Sequence, residues 1–203
     1  APPQPIRPPA AVALPAHPDD GMSRLGEKLL AIHGALAQAG IPHAFGGAIA
    51  LAYCTQDPRG TSDLDINVFV PPAEGAAVAA ALPEEVTWGR RDLAALKRAG
   101  QVRLWWDRTP VDLFLNTHTF HQKAAATLRT VPFEGREIPI LSCESLAVFK
   151  AMFDRPKDWV DIEQMARVRA VDPPAIAATV YEILGCDARV ERLMALTPGE
   201  GGW

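Results

Sequence analysis

The chain has 203 residues, of which 48% are hydrophobic, and a formal net charge of −4 at pH 7. This length suits one sizeable domain or two small ones, and the apolar content predicts a real core. The charge excludes a globally basic nucleic-acid-binding protein, so a nucleic-acid partner would have to bind a local basic patch. No stretch approaches the length of a transmembrane helix, so we expect no membrane association.

The chain starts with a proline-rich segment, residues 1–21, for which we predict an extended or disordered conformation. It lacks the basic start and continuous apolar run of a signal peptide. An amphipathic helix is predicted over residues 23–38, where apolar residues recur at helical spacing before Gly40.

A pair of glycines, Gly46-Gly47, joins a predicted strand at 42–45 to a predicted helix at 48–53. Glycines at such a turn allow the backbone to approach a ligand, and the N–H groups at a helix start attract phosphate. The GxGxxG and GxxxxGK[ST] motifs are absent, which argues against a dinucleotide-binding or P-loop site.

The next predicted strand, residues 64–70, is mostly apolar but begins with the acidic motif Asp63-Leu64-Asp65. Residues i and i+2 of a strand project from the same face, so the two carboxylates repel each other unless a cation lies between them. Hard oxygen ligands suit Mg²⁺, which binds one or two carboxylates together with substrate phosphates. The alternative is that Asp63 caps a turn and Asp65 is exposed on an edge strand.

The middle of the chain is predicted to contain helices at 73–82 and 90–99, a short strand at 86–89, and a hairpin of strands 101–106 and 111–115. Asp112 interrupts the second hairpin strand. It is either a turn residue after Thr109-Pro110 or a third carboxylate beside Asp65. The basic residues of this region, Arg103 among them, are interpreted as solvated surface in preference to a nucleic-acid track.

After a predicted helix at 117–127 and a hairpin at 128–141, Ser142 is a candidate N-cap for a helix that carries Lys150 at an apolar position of its pattern. This lysine either extends to the surface or reaches the cleft. The segment Lys157-Asp158-x-x-Asp161 begins the next helix, where an acid favours the helix dipole and Lys157 could pair with Asp161. Terminal helices are predicted at 175–184 and 188–196.

The three cysteines, Cys54, Cys143 and Cys186, are widely spaced, and no CxxC motif is present. An odd number with this spacing is typical of reduced thiols, which predicts a cytoplasmic protein with neither a disulfide framework nor a zinc site.

The order of these motifs resembles the DNA polymerase β-type nucleotidyltransferase superfamily, whose signature is a GG or GS turn, then DxD, then a later acid. Within it, GG-A-x-A-L-x-Y, then R-x-[ST]-x-D-L-D, then Lys150 and the KDxxD segment resemble the AbiEii-type (MenT-like) nucleotidyltransferase toxins over roughly residues 41–165. The resemblance implies an α+β nucleotidyltransferase fold with a mixed β-sheet flanked by helices. The core would span residues 22–141, and a helical region at 142–203 would complete the cleft.

The resemblance also implies roles for particular residues. The metal ligands would be Asp63, Asp65 and Asp112, with Lys150 and Asp158 as further catalytic groups, although Asp161 could replace Asp158. The residues expected to contact the nucleotide are Gly46, Gly47, Arg59, Thr61, Ser62, Lys157 and Asp161.

The implied reaction is Mg²⁺-dependent transfer of a nucleoside monophosphate, a pyrimidine nucleotide in this family, from an NTP to the 3′ end of tRNA. This transfer would block aminoacylation and growth, and a cognate antitoxin would silence the enzyme by phosphorylating Thr61. The alternatives are a small-molecule nucleotidyltransferase of the aminoglycoside or lincosamide type, and a non-catalytic binding protein of the same fold.

Overall fold

The structure is a computed structural model, and it describes residues 25–196. The predicted proline-rich segment, the first two residues of the predicted first helix and the C-terminal tail from residue 197 lie outside the described residues.

A mixed seven-stranded sheet organises the described part of the chain, with strand order β3-β4-β5-β2-β1-β7-β6. The strands are β1 His43–Phe45, β2 Leu64–Val68, β3 Val86–Thr87, β4 Gln101–Trp106, β5 Thr109–Leu115, β6 Arg129–Phe133 and β7 Arg136–Ile140. Two pairs are parallel, β2 with β5 and β1 with β7, and the others are antiparallel. The predicted mixed sheet is therefore confirmed.

Helices flank this sheet and make up the C-terminal part of the described chain. They are α1 Leu25–Gln38, α2 Gly47–Thr55, α3 Gly75–Ala81, α4 Arg90–Ala99, α5 Phe120–Ala126, α6 Cys143–Phe153, α7 Pro156–Arg167, α8 Pro173–Leu184 and α9 Ala188–Met194. Ser142 caps α6 as predicted, because its hydroxyl accepts a hydrogen bond from the backbone N–H of Ser145 at 3.1 Å. Pro156 occupies the first turn of α7, where its missing N–H costs nothing.

One continuous apolar core joins the sheet to α6 and α7. Ile66 of β2, Leu113 of β5, Ala147 of α6 and Trp159 of α7 are all almost completely buried in it. Helix α6 packs against α2, α7 and α8. The shared core therefore joins α6 and α7 to the central strands that carry the acidic residues.

Two strand boundaries differ from the prediction. Strand β2 begins at Leu64 as predicted, with Asp63 just before it, but it ends at Val68 instead of residue 70. Strand β5 begins at Thr109, two residues earlier than expected, and the turn narrows to Asp107-Arg108. Asp112 is thus buried in the middle of a strand, which rules out the turn interpretation.

The prediction of reduced thiols is wrong for two of the three cysteines. Cys54 of α2 and Cys143 of α6 form a disulfide, with Cα atoms 5.6 Å apart, and Cys186 is free and exposed. The pair is separated by 89 residues in the sequence and comes together only because α2 and α6 are neighbours. Spacing along the chain contains no information about that contact.

Within residues 25–196, no helix combines the length and apolar character that crossing a bilayer requires.

Candidate active site

Two parallel strands place acidic side chains next to each other. Asp65 of β2 and Asp112 of β5 are register partners, and Asp63 lies one residue before β2. On the other side of β5, Arg103 of β4 is the register partner of Asp112. Asp65, Asp112 and Arg103 therefore form one row across three adjacent strands.

Arg103 binds both oxygens of the Asp112 carboxylate. Its Nε and one terminal nitrogen donate hydrogen bonds of 2.8 and 2.6 Å to Oδ1 and Oδ2. Such bidentate pairing fixes the orientation of a carboxylate, and it raises the pKa of the Arg103 guanidinium. From the sequence, Arg103 was predicted to be part of the solvated surface. The predicted hairpin, with its four-residue turn, would place Arg103 opposite Phe114. A two-residue turn at 107–108 would have placed it opposite Asp112.

Asp65 is an acid of this row whose pKa is raised. Burial is the largest cause of its raised pKa of about 6, and the charges of Asp63 and Asp112 add to the shift, while Lys150 and Lys157 oppose it. Among the described residues, no group donates a hydrogen bond to its carboxylate. A half-buried carboxylate at a cleft, with two acidic neighbours and no donor, is a favourable place for a cation.

The Gly46-Gly47 turn fits closely around Asp65. The backbone N–H of Gly46 donates a 2.9 Å hydrogen bond to the carbonyl of Asp65. Gly47 has φ +49°, and a Cβ atom there would lie 1.8 Å from Oδ2 of Asp65. The glycine is required because the carboxylate occupies the space that a side chain would need.

Thr61 contacts the first acid of the motif directly. Its hydroxyl donates a 2.6 Å hydrogen bond to Oδ1 of Asp63. The neighbouring Ser62 is exposed, and neither hydroxyl residue lines the cleft described below.

Lys150 is buried in an ion-pair network rather than extended to the surface. Its Nζ lies 2.7 Å from Oδ2 of Asp161 and 3.6 Å from Oδ1 of Asp158. Arg59 also binds Asp161, which therefore pairs with these two cations and not with Lys157. The network connects α6, α7 and the loop before β2.

The two acids of the KDxxD segment occupy different environments. Asp158 is fully buried and accepts hydrogen bonds of 2.6 and 3.1 Å from the guanidinium of Arg155. Burial would raise the pKa of Asp158, but the Arg155 hydrogen bonds and the charge of Lys150 outweigh it and lower that pKa. Asp161 lines the cleft and Asp158 does not. The geometry therefore favours Asp161 as the acid that can contact a ligand, and either assignment stays a prediction.

A cleft of about 390 Å³ brings most of the predicted site residues together. The predicted residues that line it are Gly47, Arg59, Asp63, Asp65, Asp112, Lys150, Lys157 and Asp161. Gly46, Thr61, Ser62 and Asp158 lie outside the lining. The lining residues that the sequence analysis missed include Asn67, Arg103, Phe114, Phe149, Phe153 and Arg155.

The acids fit Mg²⁺ as a pair more readily than as a triad. Within the described residues, no group of three or more His, Cys, Asp or Glu side chains is arranged to hold a metal ion. Arg103 binds both oxygens of Asp112, whereas Asp63 accepts one side-chain hydrogen bond, from Thr61, so Asp63 and Asp65 are the more available oxygen ligands. One or two carboxylates suffice where phosphates supply further ligands. A direct contact between Asp112 and a metal stays a prediction.

No family model and no curated protein sequence matches this chain. Solved structures do. The antibiotic-resistance factor ANT(2'')-Ia, in complex with adenylyl-2''-tobramycin, aligns with a TM-score of 0.50 and 14% identity over 84% of this chain and 94% of its own. The lincomycin-bound lincosamide adenylyltransferase LnuA aligns with a TM-score of 0.48 and 15% identity over 70% of this chain and 96% of its own. An antigenic nucleotidyltransferase-like protein from Paracoccidioides brasiliensis has a TM-score of 0.47, 15% identity and coverages of 87% and 95%.

The likeness to ANT(2'')-Ia shows that this chain has the nucleotidyltransferase fold, and the predicted fold class is confirmed.

Proposed function

We propose that this chain is a nucleotidyltransferase that moves a nucleoside monophosphate from an NTP to a hydroxyl acceptor and releases pyrophosphate. The observation that carries the proposal is the row of Asp65 and Asp112 on adjacent parallel strands, with Asp63 beside it, in a cleft that also contains Lys150 and Lys157. Phosphoryl transfer depends on positioning and electrostatic stabilisation, and this set of acids and cations can supply both.

Each group in the cleft has a role in this proposal. Asp63 and Asp65 would hold Mg²⁺, which when bound offsets the negative charge of the triphosphate. Arg103 orients the Asp112 carboxylate, which would accept the proton of the attacking hydroxyl. Lys157 would bind the phosphates, and Lys150, held in place by Asp161, would stabilise the charge that develops on the leaving pyrophosphate.

The acceptor that we propose is the 3′ end of tRNA, extended with a pyrimidine nucleotide so that aminoacylation and growth stop. Support comes from the R-x-[ST]-x-D-L-D motif, and from Lys157, a cation that lines the cleft and forms no ion pair within the described residues. Positive charge at a cleft would attract the RNA backbone in spite of the negative net charge.

The test is incubation of the purified protein with total tRNA, Mg²⁺ and each labelled NTP in turn. We expect label on the tRNA 3′ end from CTP or UTP, and its loss in Asp65→Ala. The matched control is Asp172→Ala, because Asp172 is an exposed acid that begins α8 without a side-chain cap bond. Absence of label from all four NTPs would overturn the tRNA proposal.

The second candidate is transfer of a nucleotide to a small molecule. The shared fold with ANT(2'')-Ia favours it, since that protein was solved with an adenylylated aminoglycoside. Replacing tRNA by tobramycin or lincomycin in the assay with ATP distinguishes the two, because only one acceptor class should be labelled. Nucleotide binding without transfer to either class would instead indicate a non-catalytic protein of this fold.

A cognate antitoxin that phosphorylates Thr61 is the proposed means of silencing the enzyme. The Thr61 hydroxyl donates to Asp63, and a phosphate there would replace this bond with roughly two negative charges beside the acids. We expect Thr61→Glu to abolish transfer through repulsion of the triphosphate. Thr130→Glu is the matched control because Thr130 is exposed on β6. Full activity of Thr61→Glu would contradict this regulation.

A further inference from the structure

A second cavity of about 170 Å³, here called the aromatic chamber, lies beside the cleft. The two cavities share four lining residues, Asn67, Phe114, Phe149 and Phe153. Asn67 follows Asp65 by two residues on β2, so both side chains belong to the same face of the sheet. A ligand whose phosphates lie at Asp65 can therefore extend along this face into the chamber.

The side chains that line the chamber suit a flat and uncharged group. Phe120 and Phe149 pack edge to face with ring centroids 5.1 Å apart, and Phe114 and Phe153 complete an aromatic wall. The residues that line the chamber include no Asp, Glu, Lys or Arg. Burial lowers the pKa of the lining residue His121, which therefore adds no charge at neutral pH. A polycation such as an aminoglycoside would find no carboxylate there.

Asn67 supplies a polar group at the point where the chamber meets the cleft. It is 6% exposed, and it lines both the chamber and the cleft, so its carboxamide can pair with a ligand that extends from one to the other. A carboxamide offers one donor face and one acceptor face, and this pattern matches the edge of a nucleobase.

We infer that the aromatic chamber binds a nucleobase, which stacks on its phenylalanines while Asn67 hydrogen-bonds the base edge. The inference rests on the proposed nucleotidyltransferase function and adds the part of the site that selects the base. Bases stack on aromatic side chains whatever their identity, so discrimination would come from Asn67. The base could belong to the incoming NTP or to the 3′-terminal nucleotide of an RNA acceptor.

Equilibrium binding tests the inference without requiring turnover. The dissociation constants of the four NTPs, of inorganic triphosphate and of a short RNA ending in CCA are measured for the native chain and for Asn67→Leu. We expect Asn67→Leu to weaken one nucleobase ligand by about tenfold and to reduce the preference among bases, since a good base contact contributes about that discrimination. Binding of inorganic triphosphate should change less than twofold.

Two further variants keep the result interpretable. Phe153→Ala removes a stacking ring that is 40% exposed, and it should weaken the same ligand about fivefold without unfolding the protein. Gln122→Leu is the control, because Gln122 is exposed on α5 and lines neither cavity.

The two sources of the base give different results. An effect on the NTPs alone assigns the chamber to the incoming nucleotide, and an effect on the RNA alone assigns it to the acceptor. Unchanged binding of both in Asn67→Leu and Phe153→Ala would overturn the inference, even if tRNA labelling succeeds. Base-dependent binding through Asn67 without any nucleotidyl transfer would support the chamber and contradict the proposed function.

Discussion

Replacing Gly47 with alanine should inactivate the site while leaving the protein folded. The residue has φ +49°, and the new methyl group would lie 1.8 Å from Oδ2 and 2.6 Å from Cγ of Asp65. Ordinary contact begins at 3.4 Å, so the carboxylate would have to move by 3.4 − 1.8 = 1.6 Å. The substitution therefore displaces the acid that we place at the metal and the triphosphate.

The expected magnitudes follow from these two effects. A left-handed backbone conformation costs a non-glycine residue about 1–2 kcal/mol, which most domains tolerate. Misplacing a reactive group by about 1 Å costs about 100-fold in rate. We therefore expect Gly47→Ala to lose at least about 100-fold in nucleotidyl transfer and only about 1–2 kcal/mol in the free energy of unfolding.

Two other glycines separate the backbone effect from the displaced carboxylate. Gly135 has φ +78° with open space around its Cβ position. Gly135→Ala should therefore lose about the same 1–2 kcal/mol in the free energy of unfolding and keep full activity. Gly34 lies in α1, also with open space, and Gly34→Ala should stabilise the protein by about 0.5–1 kcal/mol. The assays are label transfer and urea unfolding. Activity of Gly47→Ala within threefold of Gly135→Ala would refute the reasoning.

Three further predictions concern charge and covalent linkage. The raised pKa of Asp65, about 6 against an ordinary 3.8, means that the folded chain keeps a proton that the unfolded chain releases, so stability falls as pH rises through this window. In urea unfolding, we expect Asp65→Asn to be up to about 3 kcal/mol more stable than the native chain at pH 7 and equally stable near pH 3. Equal stability at both pH values would contradict the raised pKa of Asp65. Lys150→Met removes the buried cation that pairs with both Asp158 and Asp161 and leaves each carboxylate with one arginine partner, Arg155 and Arg59. It should cost about 3 kcal/mol in the same assay, whereas a loss below 1 kcal/mol would show that the network is not needed for folding. Reduction of Cys54–Cys143 should cost about 4–5 kcal/mol, because the bridge closes a loop of 89 residues, and Cys54→Ser should be insensitive to reductant.

Most elements of the fold could be predicted because their signals are local. The helix after Ser142 follows from an N-cap and an apolar repeat, and the helix at Pro156 follows from a proline in its first turn. Helix α4 and strand β4 have the predicted bounds, since glycine ends one and a tight turn ends the other. Errors of two or three residues occur where apolar residues continue past the last ladder hydrogen bond, as at the end of β2.

The contacts between distant segments could not be predicted from such local signals. Arg103 was treated as surface because its partner Asp112 lies on another strand, and the pairing depends on a hairpin register that one residue of turn length would change. The Cys54–Cys143 bridge depends on two helices packing side by side. The separate environments of Asp158 and Asp161 depend on which face of α7 is turned toward Arg155 and which toward the cleft.

By itself, the sequence determined the order of the chemical groups: the glycine turn, the DxD motif, the later acid, and the lysine and acids of the C-terminal helices. It also determined the helices and strands that carry them, because caps, turns and apolar periodicity act over a few residues. Only the tertiary structure decided which of these groups share a cleft, that Arg103 binds Asp112, and that Asn67 lies between the cleft and an aromatic chamber. Those features arise from strand register and helix packing, which join residues far apart in the chain.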